Sequence, residues 1–120
     1  MTALGASHPD TAGSQLGEAL ALNKLGAYRG AETLLRSAIA TFSSQLGPQH
    51  WRTANAQTYL GMVLTNQRRF AEAREVLAEA ERTLLASLGP DHYRTKAAHN
   101  ALASAVQPDD PDRRTKSTSP

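Results

Sequence analysis

Apolar residues along the chain recur at helical rather than strand-like spacing. From residue 31 they are separated by three or four positions, and the same spacing returns from residue 73. Positions i, i+3, i+4 and i+7 share one face of a helix, so each stretch predicts an amphipathic helix. The two apolar faces consist of Ala31, Leu34, Leu35, Ala38, Ile39, Phe42 and Leu46, and of Ala73, Val76, Leu77, Ala80, Leu84 and Leu88. Over the whole chain, the pattern predicts helices at about 9–24, 28–46, 50–66, 70–88 and 92–106.

A second regularity is a repeat with a period of 42 residues. The segments 4–12, 46–54 and 88–96 align so that a Leu-Gly pair, a His and a Thr recur at the same places in all three. Self-similarity at a fixed period of this length is typical of stacked helical repeats. The chain is therefore predicted to be all-α, with stacked antiparallel helix pairs in about two and a half repeats at about 4–45, 46–87 and 88–106.

Glycine and proline mark the predicted helix ends. Gly47 and Gly89 follow the last apolar residue of a helix, where a left-handed conformation costs glycine nothing. Pro48 and Pro90 come next and cannot continue a helix. Gly26 lies in the turn between the first two predicted helices.

The helical pattern stops after residue 106. The segment 107–120 holds three prolines, a Ser/Thr cluster and no aliphatic residue. Such a composition cannot bury apolar surface. The prediction is therefore a helical repeat domain over 1–106, followed by a disordered tail over 107–120.

Composition and charge narrow the classes of function. The sequence has no cysteine, so it offers neither a disulfide nor a thiolate zinc site. The formal charge is only +2, and basic residues alternate with acidic ones, which argues against a nucleic-acid partner. No signal peptide and no membrane-spanning apolar run is recognisable. We therefore expect a cytoplasmic protein without a membrane or nucleic-acid partner.

The repeated turn resembles that of a known family. Leu-Gly-Pro-Asp-His-x-x-Thr at 88–95, followed by helical pairs of 42-residue period, is similar to the kinesin-light-chain type of tetratricopeptide repeat. The resemblance covers roughly residues 4–106, and the second repeat matches best, at Ala54, Leu60, Gly61, residues 69–73 and Leu77. It implies a right-handed α-α superhelix, a protein-binding role, and occurrence in bacterial regulatory proteins beside kinase or nucleotide-switch domains. Arg68 stands where the family usually has glycine, which predicts a wider turn.

Catalytic and metal chemistry find little support in the sequence. His8, His50 and His92 are equivalent residues of successive repeats, and packed helices lie about 8–10 Å apart, so the three cannot converge on one ion. We expect each histidine to help start its helix. Glu72, Glu75 and Glu79, beside Arg74 and Arg82, predict a solvated flank with charge pairs at i+3 and i+4. No catalytic motif is recognisable, so we expect no enzyme, no cofactor and no metal.

A stacked array should offer a groove on its inner face, lined by the first helix of each pair. Amide and hydroxyl groups there can bond a peptide backbone, and methionine adapts to varied side chains. The predicted partner-binding residues are Asn55, Thr58, Tyr59, Met62, Thr65, Asn66, Asn100 and Ser104. Trp51 and Tyr93, at two helix starts, are interpreted either as recognition anchors or as residues that pack onto the preceding helix end.

Three hypotheses for function follow. The leading one is a protein-interaction module that holds a peptide or partner domain in the groove. An alternative is a self-associating assembly element, in which a homodimer forms through the uncovered first helix around Leu16. Another is a detached regulatory tail of a kinase-like protein.

Overall fold

The computed structural model describes residues 8–106, which form five α-helices. They are α1 (Pro9–Lys24), α2 (Tyr28–Leu46), α3 (Trp51–Asn66), α4 (Phe70–Leu88) and α5 (Tyr93–Ser104). The all-α prediction is confirmed, and every helix bound lies within two residues of its predicted position. The predicted tail and the Leu-Gly pair of the first repeat lie outside the described residues.

The helices are stacked in two layers. Each helix packs against the next one along the chain, and α3 also contacts both α1 and α5. This arrangement places α1, α3 and α5 in one layer, with α2 and α4 behind them. Residues 8–106 therefore form two helix pairs and a single fifth helix, as the 42-residue period predicted. No helix within this part of the chain is long and apolar enough to cross a bilayer.

A core of leucine and alanine side chains holds the two layers together. Leu35, Leu64 and Leu77 are fully buried in the main cluster, which draws on all five helices and extends to the end of α5. Small residues let the helices approach closely. A Cβ atom on Gly61 of α3 would overlap the side chain of Leu77 on α4, so the α3–α4 contact requires glycine here.

The repeated histidines cap three helices. Nδ1 of His8, His50 and His92 accepts a hydrogen bond from the backbone N–H two residues later, at 3.0, 3.0 and 3.1 Å. Each bond satisfies one of the N–H groups that a helix start leaves without a partner. The prediction that each histidine helps start its helix is confirmed. It also explains why α3 and α5 begin one residue later than predicted, since His50 and His92 are caps.

The turns between repeats use glycine as predicted, although in a different conformation. Gly47 and Gly89 have positive φ of 112° and 88°, but ψ of 146° and 166° places them outside the left-handed helical region. This region of backbone space is essentially restricted to glycine. Thr53 closes the first of these turns, because its buried hydroxyl donates to the carbonyl of Gly47 at 2.8 Å.

The wider turn predicted at Arg68 is wrong. Arg68 adopts a positive φ of 63°, and its N–H donates to Thr65 at 2.9 Å, just as Gly26 donates to Asn23 at 3.1 Å. The two turns therefore have the same form, although arginine pays about 1–2 kcal/mol for this conformation. The Arg68 guanidinium lies 5.4 Å from the ring centroid of Phe70, a contact that offsets part of the strain.

Candidate partner-binding groove

Five of the eight predicted partner-binding residues line one cleft in the layer of α1, α3 and α5, which is the predicted inner layer. The cleft has a volume of about 430 Å³ and is formed by the second half of α3, the end of α1 and most of α5. The predicted residues that line it are Met62, Thr65, Asn66, Asn100 and Ser104, and Asn23, Ala97 and Ala101 complete it. We call this the amide cleft.

The amide cleft is uncharged and combines polar groups with an apolar contact. Asn66 Nδ2 donates to Asn23 Oδ1 at 3.0 Å, which orients two side-chain amides along its wall. Met62 is 40% exposed, so its flexible thioether side chain is accessible. Spare donors and acceptors on Asn66 and Asn100 suit a peptide backbone, which presents both kinds of group.

Three predicted residues lie elsewhere. Thr58 is only 2% exposed, and its hydroxyl donates to the carbonyl of Ala54 at 3.1 Å. Its placement on the groove surface was therefore wrong, because this side of α3 faces the neighbouring helices. Tyr59 is half-buried and packs against the main core cluster. Asn55 lies in a separate cleft toward the start of α3.

This second cleft has a volume of about 410 Å³. We call it the arginine cleft, because two arginines enter it from α3 and α5. The Arg52 guanidinium carbon lies 4.9 Å from the ring centroid of Phe42, and that of Arg94 lies 4.7 Å from those of both Trp51 and Tyr93. The lining residues are Gly13, Leu16, Phe42, Trp51, Arg52, Asn55 and Arg94.

The two helix-start aromatics differ in their surroundings. Trp51 packs against the core cluster between α3, α4 and α5, and it also lines the arginine cleft. Tyr93 is 66% exposed. The sequence prediction missed Arg52 and Arg94. Their spacing of 42 residues, each directly after an aromatic residue, was the signal that could have identified them.

The carboxylates of the outer layer have other partners. Arg36 donates to Glu32 at 2.9 Å and to Glu72 at 2.7 Å, and Arg69 donates to the same two carboxylates at 2.8 Å each. We call these four residues the ion ring; it joins α2 of the first pair to the start of α4 in the second. Glu72 therefore forms a local pair of the predicted spacing with Arg69, three residues earlier, and it also bridges two repeats through Arg36. Arg74 likewise donates to the carbonyl of Ala105 at 3.0 Å.

The ion ring changes how its carboxylates titrate. Burial raises the pKa of Glu32, but hydrogen bonds from Gln67, Arg36 and Arg69 outweigh it and bring the pKa below its ordinary value of 4.5. Hydrogen bonds from Arg36 and Arg69 lower the pKa of Glu72 in the same way. Both carboxylates therefore stay charged to lower pH when the protein is folded.

Metal ligation has no geometric basis in the described part of the chain. Among residues 8–106, no three His, Asp or Glu side chains lie close enough together to hold an ion. His99, the fourth histidine, contacts Glu81 at 2.8 Å across the α4–α5 interface.

Comparison with known proteins matches part of the chain to one family. Residues 53–94 match the tetratricopeptide repeat, in its kinesin-light-chain type. The match spans one full period, from the beginning of α3 through α4 to the first turn of α5, and it confirms the resemblance inferred from the repeated turn. It identifies no catalytic domain. A search of the curated proteins finds no match to the chain.

Proposed function

Because the chain contains a tetratricopeptide repeat, a unit that generally mediates protein–protein interactions, we propose that it binds a peptide segment of a partner protein in its inner-layer groove. The observation that carries this proposal is the amide cleft. Residues from α1, α3 and α5 converge there on one accessible depression, although they are far apart in sequence. A surface built from three successive inner helices suits an extended ligand that crosses them.

The chemistry of the amide cleft favours a peptide over a small charged ligand. Asparagine side chains offer both donors and acceptors, as the backbone of an extended peptide requires. Met62 can make an apolar contact with a side chain of the bound peptide, and its flexible thioether adapts to side chains of different shape. The absence of charge among the lining residues means that backbone and apolar contacts dominate at this end of the groove.

Self-association through the first helix has less support. Leu16 lies between two core clusters rather than on an open face. The exposed positions of α1 are polar or small, and consist of Asp10, Ser14, Gly17, Glu18, Ala21 and Lys24; Leu25, at the end of the helix, adds one apolar side chain that is 81% exposed. A face of this kind offers little apolar area to a second copy. The homodimer stays a prediction that no observation favours.

The proposal is tested by selecting ligands from a random dodecapeptide library on the full chain. Binding of the selected peptides is then measured for Met62→Ala and Asn100→Ala. Loss of a central contact should weaken binding by about 5- to 30-fold, equivalent to about 1–2 kcal/mol. Glu79→Ala, on the exposed outer side of α4, is the matched control and should have no effect. The proposal would be refuted if the selected peptides bound both groove variants as tightly as the unmodified protein. It would also be refuted if the library yielded no binding peptide.

A further inference from the structure

A third cleft lies between α2 and α4, in the layer opposite the amide cleft. It has a volume of about 270 Å³, which is smaller than the roughly 300–1,000 Å³ of sites that hold whole small molecules. It therefore has room for about one side chain. The residues that determine its chemistry are Arg36 and Ile39 of α2, Gln57 and Leu60 of α3, and Val76 and Glu79 of α4. We call it the outer cleft.

The walls of the outer cleft are apolar. Ile39 and Val76, from the two helices of this layer, are half-buried, so part of each side chain stays accessible. Leu60 of α3 lies behind them and is buried. The methylene groups of a long polar side chain can cover apolar walls of this kind while its head group reaches a polar partner. The outer cleft therefore suits an occupant with an apolar stem.

One polar group in the outer cleft lacks a hydrogen bond. Oε1 of Gln57 is buried, and no donor among the described residues bonds to it. A buried acceptor without a partner is unfavourable, so a ligand that supplies a donor relieves this cost. The last torsion of a glutamine side chain is broad, and a small rotation about it turns Oε1 toward a donor inside the cleft. The occupant should therefore carry a donor at the end of its stem.

The charge at the rim favours a cationic donor. Arg36 is already neutralised, because it donates to the carboxylates of Glu32 and Glu72. Glu79 is exposed and takes part in none of the ion pairs within 4.0 Å among residues 8–106. A guanidinium is weakly hydrated and carries several N–H donors in a planar fork, so it can donate to an amide and a carboxylate together. An indole ring offers one donor and no charge.

We propose that the outer cleft binds an arginine side chain of a partner protein. The methylene groups of that arginine lie between Ile39 and Val76, and its guanidinium donates to Oε1 of Gln57 and to the carboxylate of Glu79. This second contact surface does not depend on the proposed function, because the amide cleft is formed by α1, α3 and α5 in the other layer. A peptide in the groove would leave the outer cleft accessible.

The repeat supplies an internal control. Gln15, 42 residues before Gln57, also has a buried Oε1 without a hydrogen-bond partner, but it does not line the outer cleft. A ligand of the outer cleft should therefore change the side-chain amide resonance of Gln57 and leave that of Gln15 unchanged.

The test is a titration of the ¹⁵N-labelled full chain with N-acetyl-arginine amide, followed by NMR. The Gln57 side-chain resonance should shift and saturate with a Kd on the order of 10 mM, as expected for a single residue. N-acetyl-citrulline amide, which has the same stem and a neutral head, should bind about three- to fivefold more weakly. Glu79→Gln should weaken binding of the arginine amide equally. Glu75→Gln, one turn earlier at an exposed position of α4, should change it less than about twofold.

Several results would overturn the proposal. Equal affinities for the arginine and citrulline amides would show that charge is not recognised, and equal losses in Glu79→Gln and Glu75→Gln would show a general charge effect. Shifts at Asn100 without a shift at Gln57 would place the probe in the amide cleft. The peptides selected for the groove should bind Glu79→Gln as tightly as the unmodified protein, so the failure of one proposal leaves the other standing.

Two other occupants are distinguished without a probe. A change in the Gln57 resonance on Arg113→Gln/Arg114→Gln would assign the outer cleft to the chain's own segment 107–120. A change with protein concentration would assign it to a second copy. Either result would overturn the role of a partner protein.

Discussion

Gly26 and Arg68 occupy equivalent positions 42 residues apart and share a positive φ, of 82° and 63°. In each turn, the following residue also donates to a helix carbonyl at 2.9 Å, from Ala27 to Leu22 and from Arg69 to Leu64. One backbone geometry is therefore imposed on two different residue types. The stacking of the two helix pairs decides the conformation of the turn. In this conformation the backbone of Arg68 is strained, whereas that of Gly26 is not.

Exchanging these residues should shift stability in opposite directions. Arg68→Gly relieves about 1–2 kcal/mol of backbone strain and loses the contact with Phe70, so we expect a net gain of roughly 0.5–1 kcal/mol. Gly26→Arg should cost about 1 kcal/mol through backbone strain alone, because nothing lies within 4 Å of a Cβ atom there. Urea unfolding followed by circular dichroism measures both. A loss of stability in Arg68→Gly would show that the Phe70 contact outweighs the strain.

Gly61 and Gly17 should respond in opposite ways to the same alanine substitution. Gly61→Ala places a methyl group into Leu77 and should destabilise the fold by about 1–3 kcal/mol through overpacking. Gly17→Ala meets nothing within 4 Å on an exposed helix position and should stabilise by about 0.5–1 kcal/mol. Thermal unfolding of the two variants provides the comparison. Equal effects would mean that α3 and α4 pack less tightly than described.

Substitutions of Thr58 and Asn100 should distinguish a structural residue from a groove residue. Thr58→Ala removes a buried hydroxyl bonded within α3. It should lower the free energy of unfolding by about 1 kcal/mol and leave peptide affinity unchanged. Asn100→Ala removes an exposed amide of the amide cleft and should weaken peptide binding while leaving unfolding unchanged. Calorimetric titration beside thermal unfolding distinguishes them. Weaker binding in Thr58→Ala at a temperature where it is fully folded would contradict this division.

Stability should fall in mild acid because of the ion ring. Glu32 and Glu72 have lower pKa values when folded than their ordinary value of 4.5, so the unfolded chain takes up protons first as pH decreases. Their contribution is complete well above the unfolded pKa of 4.5 and is lost as pH falls from there through the lower pKa values of the folded state. Glu32→Gln/Glu72→Gln should flatten the dependence of melting temperature on pH in that range. Glu75→Gln/Glu79→Gln, at exposed positions of α4, should leave it unchanged.

Much of the fold could be predicted from local signals. The 42-residue period, the apolar spacing and the glycine positions gave five helices with bounds correct to within two residues. The capping role of His50 was predictable for the same reason, since an N-cap acts on a backbone N–H two residues away. Helix formation and capping depend on neighbours within one or two turns, and the sequence displays those neighbours directly.

The groove was only partly predictable. Met62 and Asn66 line the amide cleft, and their role in binding stays a prediction. Thr58 was placed wrongly because the buried part of α3 is wider than a single apolar stripe: α3 is packed by helices on several sides. A polar residue in such a position is buried by side chains of other helices, and the sequence of α3 alone does not show which helices lie against it.

The sequence by itself determined the helices, their caps and the repeat, because each depends on residues close together along the chain. The tertiary structure alone decided which distant side chains meet. It joined Glu32 to Arg69, placed Arg94 over Trp51, and brought Arg52 and Arg94 into one cleft. These contacts depend on how each helix is positioned and rotated against the next. Packing of the whole core sets that geometry, and the spacing of residues within one helix does not.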